Sequence, residues 1–249
     1  MTVLAVRGLH KSFGGVAAVR DVSFQVGAGE MLALIGPNGA GKTTCFNMLG
    51  GQLRPDSGAI LLEGQPTTGL APRAIWRRGV GRTFQITATF ASMTVQENVQ
   101  MALISRAGGV WRAWGAARFR HADPARALLD QLGIADQADR AAGLLAYGDL
   151  KRLELAVALA SKPRLLLMDE PTAGMAPTER IALMALTRRL ATERRLAVLF
   201  TEHDMDVVFN AADRILVMER GALIAEGDGA SIRANPLVRE VYLGAGAHG

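Results

Sequence analysis

An apolar run at residues 31–35 leads directly into Gly36-Pro37-Asn38-Gly39-Ala40-Gly41-Lys42-Thr43-Thr44, and a helix-forming stretch follows until Gly50-Gly51. No other feature constrains the chain as much. Glycines at these spacings let the backbone curl until its N–H groups point inward. The positive end of the following helix adds to that field, so the turn suits phosphate oxygens. On this reading Lys42 reaches the β- and γ-phosphates of a nucleotide and the Thr43 hydroxyl ligates Mg²⁺. Of the 28 basic residues only Lys11, Lys42, Lys151 and Lys162 are lysine. A chain that otherwise prefers arginine keeps lysine where a compact ammonium fits between phosphates, which a Gly-rich turn without a ligand does not explain.

A second apolar run, residues 165–168, ends in Asp169 and Glu170. Ligands of parallel sheets sit beyond the carboxyl ends of the strands, so both acids are expected beside the phosphates. Asp169 can hold Mg²⁺ directly or through its water, and Glu170 can take a proton from an attacking water. Two acids at a strand end are otherwise often only solvated.

Runs rich in Val, Ile and Leu alternate with helical patterns, the signature of an α/β chain with a largely parallel sheet. Strands are expected at residues 3–6, 22–26, 31–35, 59–62, 165–168, 196–200, 215–218 and 223–225. Those at 165 and 196 are apolar throughout, which places them centrally with both faces covered. The last two flank Glu219-Arg220-Gly221 and read as a hairpin at an edge. Strand signals vanish between about 95 and 160, where helix formers at 125–132 and 150–160 dominate. No linker composition or internal repeat divides the 249 residues, so they read as one domain with a helical insertion.

Composition removes several classes. At 49% hydrophobic and 20% charged the chain is too apolar for a disordered tail, and no run approaches the ~18 apolar residues of a spanning helix. Residues 1–7 lack the pattern of a signal peptide, so an intracellular location is expected. One cysteine, Cys45, permits no internal disulfide and no cysteine zinc site, and reads as a small core residue. A net charge of +5 is weak evidence for nucleic acid, and none is expected as a partner.

Taken together, the phosphate turn and the acid pair resemble those of the ATP-binding subunits of ABC transporters, and the other motifs of that family follow in order along nearly the whole chain. The resemblance implies a P-loop ABC ATPase cassette over residues 1–249. Its core sheet is mostly parallel with an antiparallel β edge, its helical insertion covers roughly 86–160, and a C-terminal helical tail covers roughly 228–249. It also implies roles for individual residues. Phe13, in Lys11-Ser12-Phe13-Gly14-Gly15, stacks on adenine. Gln85 touches Mg²⁺ and the attacking water and faces the membrane subunits. His203, in Thr201-Glu202-His203-Asp204-Met205, contacts the γ-phosphate. Leu145-Ala146-Tyr147-Gly148-Asp149 occupies the place of the family signature, which caps the ATP of a partner subunit. Gly81-Arg82-Thr83-Phe84-Gln85, Met93-Thr94-Val95-Gln96-Glu97-Asn98-Val99 and the ending Val241-Tyr242-Leu243-Gly244 look like the ATPases of branched-chain amino acid importers, with urea importers close. The implied ligands are ATP and Mg²⁺. The implied partners are two transmembrane permeases, a second ATPase and, indirectly, an external solute-binding protein. The implied place is the cytoplasmic face of the inner membrane, held peripherally.

Two positions depart from the family pattern. The signature's second residue, usually serine, is Ala146, a replacement that looks familiar in this branch, and the aspartate or asparagine usual after the acid pair is Ala176. By the resemblance, Ala146 lacks the hydroxyl that donates to the γ-phosphate and Ala176 cannot make the cross-dimer hydrogen bond that links the two ATP sites, so the partner ATPase is expected to be non-identical. Soluble members of the family carry tandem cassettes or coiled-coil insertions, and this chain has one phosphate turn and no heptads. A P-loop kinase or GTPase would not supply the signature and the glutamine together. Two basic-aromatic stretches, Arg73, Arg77, Arg78 and Arg82 around Trp76, and Trp111, Arg112, Trp114, Arg118, Phe119 and Arg120, read as solvated helix faces.

Overall fold

The computed structural model describes residues 1–83, 89–106 and 121–243. A six-stranded sheet, in the order β10 (Ala222–Gly227), β9 (Arg214–Glu219), β3 (Met31–Ile35), β8 (Ala197–Thr201), β7 (Leu165–Asp169), β6 (Val80–Thr83), carries the phosphate turn. All its pairings are parallel except the β9–β10 hairpin at one edge. Side chains of alternate residues point to opposite faces of a strand, and here both faces are buried. Met31, Ala33, Ile35, Leu166, Met168, Val198 and Phe200 enter one core. Leu32, Leu34, Leu165, Leu167, Ala197 and Leu199 enter the other. That double burial is why these strands read as unbroken apolar runs.

The expectation of a single sheet with an antiparallel edge is refined. β1 (Thr2–Phe13), β2 (Val16–Gly27), β4 (Ser57–Leu62) and β5 (Gln65–Pro66) form a separate antiparallel sheet in the order β2-β1-β4-β5. Helix α1 (Lys42–Leu49) is packed into the second core with both sheets, through Cys45, Phe46, Met48 and Leu49. Burial pushes the Cys45 thiol up to about 12, as suits a side chain that acts only as a small hydrophobe.

Between β6 and β7 the regular elements among the described residues are helices, α3 (Val95–Arg106), α4 (Ala122–Gln131) and α5 (Tyr147–Ala160), with short 3-10 turns and one isolated bridge. The short α2 (Pro72–Arg77) precedes β6. The longer α6 (Pro177–Arg194) and α7 (Met205–Ala211) flank β8, and α8 (Gly229–Ala234) and α9 (Pro236–Leu243) follow β10. None of these helices is long and apolar enough to cross a membrane.

Candidate functional site

β3, β8 and β7 are sheet neighbours that run in the same direction, with Ala33 beside Phe200 and Asp169 beside Thr201. Their carboxyl ends therefore deliver the phosphate turn, the segment 201–204 and the acid pair to one edge. Within the turn, two glycines are sterically required. A Cβ on Gly36 would stand 2.2 Å from the Met218 carbonyl oxygen, and one on Gly41 would stand 2.3 Å from that of Ala18. Both also have positive φ, 154° and 104°, which side-chain-bearing residues adopt at a cost. Asn38 and Gly39 are exposed, Pro37 is half-buried and Ala40 is buried.

Lys42 opens α1, and its ammonium folds back into the turn, donating to the carbonyls of Gly36 at 2.7 Å and Pro37 at 3.1 Å. Burial draws the lysine below its usual value, against the pull of Glu170 and Asp169. The cation is thus enclosed beside neutral carbonyls, an arrangement that a phosphate would complete. Thr43 is exposed in the first turn of the helix and Thr44 is half-buried.

Asp169 is buried, accepting from Thr201 Oγ1 at 2.8 Å and lying 3.5 Å from Arg82 Nη2. Arg82 also donates to Asn47 of α1 and to Gln52, so it ties the acid to the helix behind the turn. This corrects the reading of Arg82 as part of a solvated face: β6 begins at Val80, and the strand places the guanidinium inward. Arg73, Arg77 and Arg78 are exposed around a half-buried Trp76, as expected. Burial lowers the Arg82 guanidinium from its usual value while Asp169 opposes that shift.

Glu170 has φ 48°, the left-handed region, where a residue with a side chain pays about 1 kcal/mol or more. Its N–H, held by the Thr201 carbonyl at 3.2 Å and Oγ1 at 3.0 Å, secures that conformation. The side chain is thereby turned toward His203, whose Nε2 lies 2.8 Å from Glu170 Oε1.

His203 is fixed by its neighbours on both sides. The Asp204 carboxylate caps α7 by accepting from the N–H groups of Asp206 and Val207 and pairs with Arg180 at 2.7 Å. Chiefly the Val207 amide holds Asp204 below the usual carboxylate range. On the other side, Glu202 is 4% exposed. It accepts from the Thr172 N–H at 2.8 Å, the Thr172 hydroxyl at 2.6 Å and, more weakly, the His203 N–H at 3.3 Å. One carboxylate therefore joins the loop after Glu170 to the loop bearing His203. Sequence reading missed Thr201 and Glu202 as site residues. The available signal was their place at the end of a strand apolar on both faces.

Glu202→Ala is expected to leave two buried Thr172 donors without a partner, at about 1–3 kcal/mol each. For a chain of this size, at about 2–4 °C per kcal/mol, that corresponds to a melting temperature lower by roughly 4–24 °C. Glu202→Gln should recover much of the loss because its carbonyl still accepts. An Ala variant that melts with the wild type would show that the carboxylate bears no such load.

The structure places the remaining expected residues as follows. Phe13 is 50% exposed at the end of β1, so it is not a core phenylalanine, and Lys11 lies 5.6 Å from its ring. Leu145 and Ala146 precede α5, and Tyr147, Gly148 and Asp149 form its first turn. No hydrogen bond or ion pair among the described residues joins 145–149 to 36–44. Residues 145–149 instead meet the loop after Glu170, where the Tyr147 hydroxyl donates to the Ala173 carbonyl at 3.0 Å. Ala146 and Ala176 are the N-caps of α5 and α6, positions where a Ser or Asp side chain would normally accept from the helix. Gln85 and the stretch at 111–120 lie outside the described residues.

The residues suit Mg²⁺ as the phosphate-bound ion. Thr43 and Asp169 offer oxygen donors, and the engagement of Asp169 by Thr201 and Arg82 favours contact through water. Among the described residues no three His, Cys, Asp or Glu converge on one point, so such an ion would depend on ligand phosphates for further oxygens.

Comparison with known proteins identifies the family and the fold. Residues 19–173 match the family model described as ABC transporter, and residues 222–248 the one described as branched-chain amino acid ATP-binding cassette transporter. The chain is 41% identical to the high-affinity branched-chain amino acid transport ATP-binding protein LivG of Escherichia coli (strain K12), with 97% of this chain and 98% of that protein covered. It superposes on the crystal structure of a nucleotide-free ATP-binding cassette from an ABC transporter with a TM-score of 0.87 at 32% identity, covering 97% of this chain and 99% of that one. It superposes on the ADP conformation of MJ1267, an ATP-binding cassette of an ABC transporter, with a TM-score of 0.86 at 30% identity, covering 98% and 99%.

Proposed function

The chain belongs to the ATP-binding cassette family of ABC transporters, and on that footing we propose that it is the Mg²⁺-dependent, ATP-hydrolysing subunit of an importer of branched-chain amino acids. The observation that carries this reading is the meeting of turn 36–44, the acid pair and His203 at the ends of three adjacent parallel strands.

In the proposed cycle the N–H groups of residues 36–44 and the ammonium of Lys42 hold the triphosphate, and Phe13 stacks on the base. Thr43 and Asp169, with Gln85, would hold Mg²⁺, which would supply neutralisation of charge on the transferring phosphoryl group. Glu170 accepts the proton of the attacking water with the oxygen that now meets His203. The imidazole must therefore swing from Glu170 toward the γ-phosphate, where it and Lys42 stabilise the developing charge.

Leu145, Ala146, Tyr147, Gly148 and Asp149 act on the nucleotide of a second ATPase. Their contacts toward their own acid-pair loop, not toward their own turn, support that assignment. The uncapped starts of α5 and α6 at Ala146 and Ala176 favour a non-identical partner that supplies the missing side chains. Residues 1–249 act as one cassette with its helical insertion at roughly 86–160 and its tail at roughly 228–249. It lies peripherally on the cytoplasmic face of the inner membrane under two permeases, which an external binding protein supplies with solute. The match over residues 222–248 favours branched-chain amino acids over urea.

Cells lacking the chain should lose uptake of radiolabelled leucine, isoleucine and valine and regain it with the wild-type gene. The chain should also co-purify with two hydrophobic subunits. Retained leucine uptake with lost urea uptake would move the substrate to urea, and retention of both would overturn the importer reading.

A further inference from the structure

At the amino-terminal ends of β6 and β7, away from the nucleotide edge, two adjoining hollows of about 300 and 520 Å³ share Arg106, Lys162 and Arg164 in their walls. Arg77 and Arg78 complete the basic lining of the first and Arg194 that of the second, and the one carboxylate in either wall is Glu63. Six cations against one anion leave a surplus of five, equal to the net +5 of the whole chain, so positive and negative charge balance everywhere else. A concave surface lined by one sign of charge focuses its field on a counter-ion.

These cations are poorly compensated from within. The side chains of Arg77, Arg106 and Lys162 make no hydrogen bond or ion pair with the described residues. Arg78 donates to the Pro66 carbonyl and Arg194 to the Gln131 side-chain oxygen, both neutral acceptors. Arg164 reaches Glu63 only at 3.7 Å. Lys162 holds φ 49°, a left-handed backbone that Gly or Asn would adopt more cheaply, so backbone strain is accepted where a cation stands.

We propose that this basic hollow is a second anion site, which takes a ligand carrying two or more phosphate groups. Guanidinium forks grip phosphate oxygens in pairs, and the volumes accommodate a small polyphosphate or a phosphorylated headgroup. The site is distinct from the nucleotide turn, because β7 begins beside the hollow at Leu165 and ends at Asp169, about 13 Å further along the strand.

The test uses the full chain saturated with a non-cleavable ATP analogue, so that turn 36–44 is filled. Calorimetric titration with inorganic pyrophosphate should show one further equivalent bound in the wild type. Affinity should fall at least tenfold in Arg106→Gln/Lys162→Gln. It should stay unchanged in Arg7→Gln/Arg20→Gln, two exposed arginines outside the patch. Unaltered analogue affinity in both double variants shows the fold intact. Co-sedimentation with vesicles containing cardiolipin, a lipid with two phosphates, lost only in the patch variant, would assign the same site to a lipid diphosphate instead of a soluble one. Failure of the wild type to hold either probe, or equal losses in the two double variants, overturns the site.

Discussion

Glu170→Gln should bind ATP with an affinity within about threefold of the wild type while its steady-state hydrolysis falls at least about 100-fold, the range that loss of a general base produces. The amide matches the carboxylate in shape, and its N–H or C=O can still meet His203 Nε2 where Oε1 now lies at 2.8 Å. The strained backbone at φ 48°, pinned by Thr201, is unaffected because its bonds use the main chain of residue 170. What disappears is the capacity to accept a proton. With the proton acceptor gone, the pair that this chain forms with its partner ATPase should accumulate with ATP uncleaved, visible as earlier elution of the co-expressed pair on gel filtration with Mg-ATP. Phosphate release at the wild-type rate would remove Glu170 as the base. A parallel loss of ATP affinity would instead mean that its charge, which supports protonated Lys42, serves mainly to hold the turn together.

Which parts of this site are legible in the sequence follows from where each residue's partners lie. β3, β7 and β8 are readable because both faces are covered, leaving no polar alternation to interrupt them. The turn is readable because the positive φ of Gly36, Gly39 and Gly41 is a local demand for glycine, although the backbone that also excludes a Cβ at Gly36 and Gly41, at Met218 and Ala18, is distant in the chain. The division into two sheets is not, since β1 is extended to Phe13 by pairing with β2 and β4, such as His10 with Ser57, and only the tertiary register supplies that. β6 escapes for a related reason. Val-Gly-Arg-Thr has little strand propensity of its own and is ordered by its parallel pairing with residues 165–168. With β6 unread, Arg82 groups by proximity with Arg73, Arg77 and Arg78, although the strand sends it to Asp169. Glu202 is hidden in the same way, because its donors on Thr172 lie thirty residues away in the chain.

Lys42→Ala should weaken ATP binding by about 3 kcal/mol or more, at least 100-fold, because each hydrogen bond to a charged group contributes about 1.5–3 kcal/mol and an ammonium can offer several to the β- and γ-phosphates. The surroundings of Lys42 show why the loss exceeds that of an exposed lysine. The ammonium sits buried with two carbonyls as its hydrogen-bond acceptors, and its position has been drawn below its usual value by that burial. Phosphate oxygens arriving there meet a donor that has already shed most of its water and needs little reordering. Lys42→Arg should recover only part of the affinity, since the fork is too broad for a turn whose walls, the carbonyls of Ala18 and Met218, already exclude a single Cβ at Gly41 and Gly36. Titration with a fluorescent ATP analogue separates this variant from Glu170→Gln: one loses affinity and the other turnover. Lys42→Ala binding as tightly as the wild type would take the ammonium out of the phosphate cradle, and the reading of residues 36–44 as that cradle would fall with it.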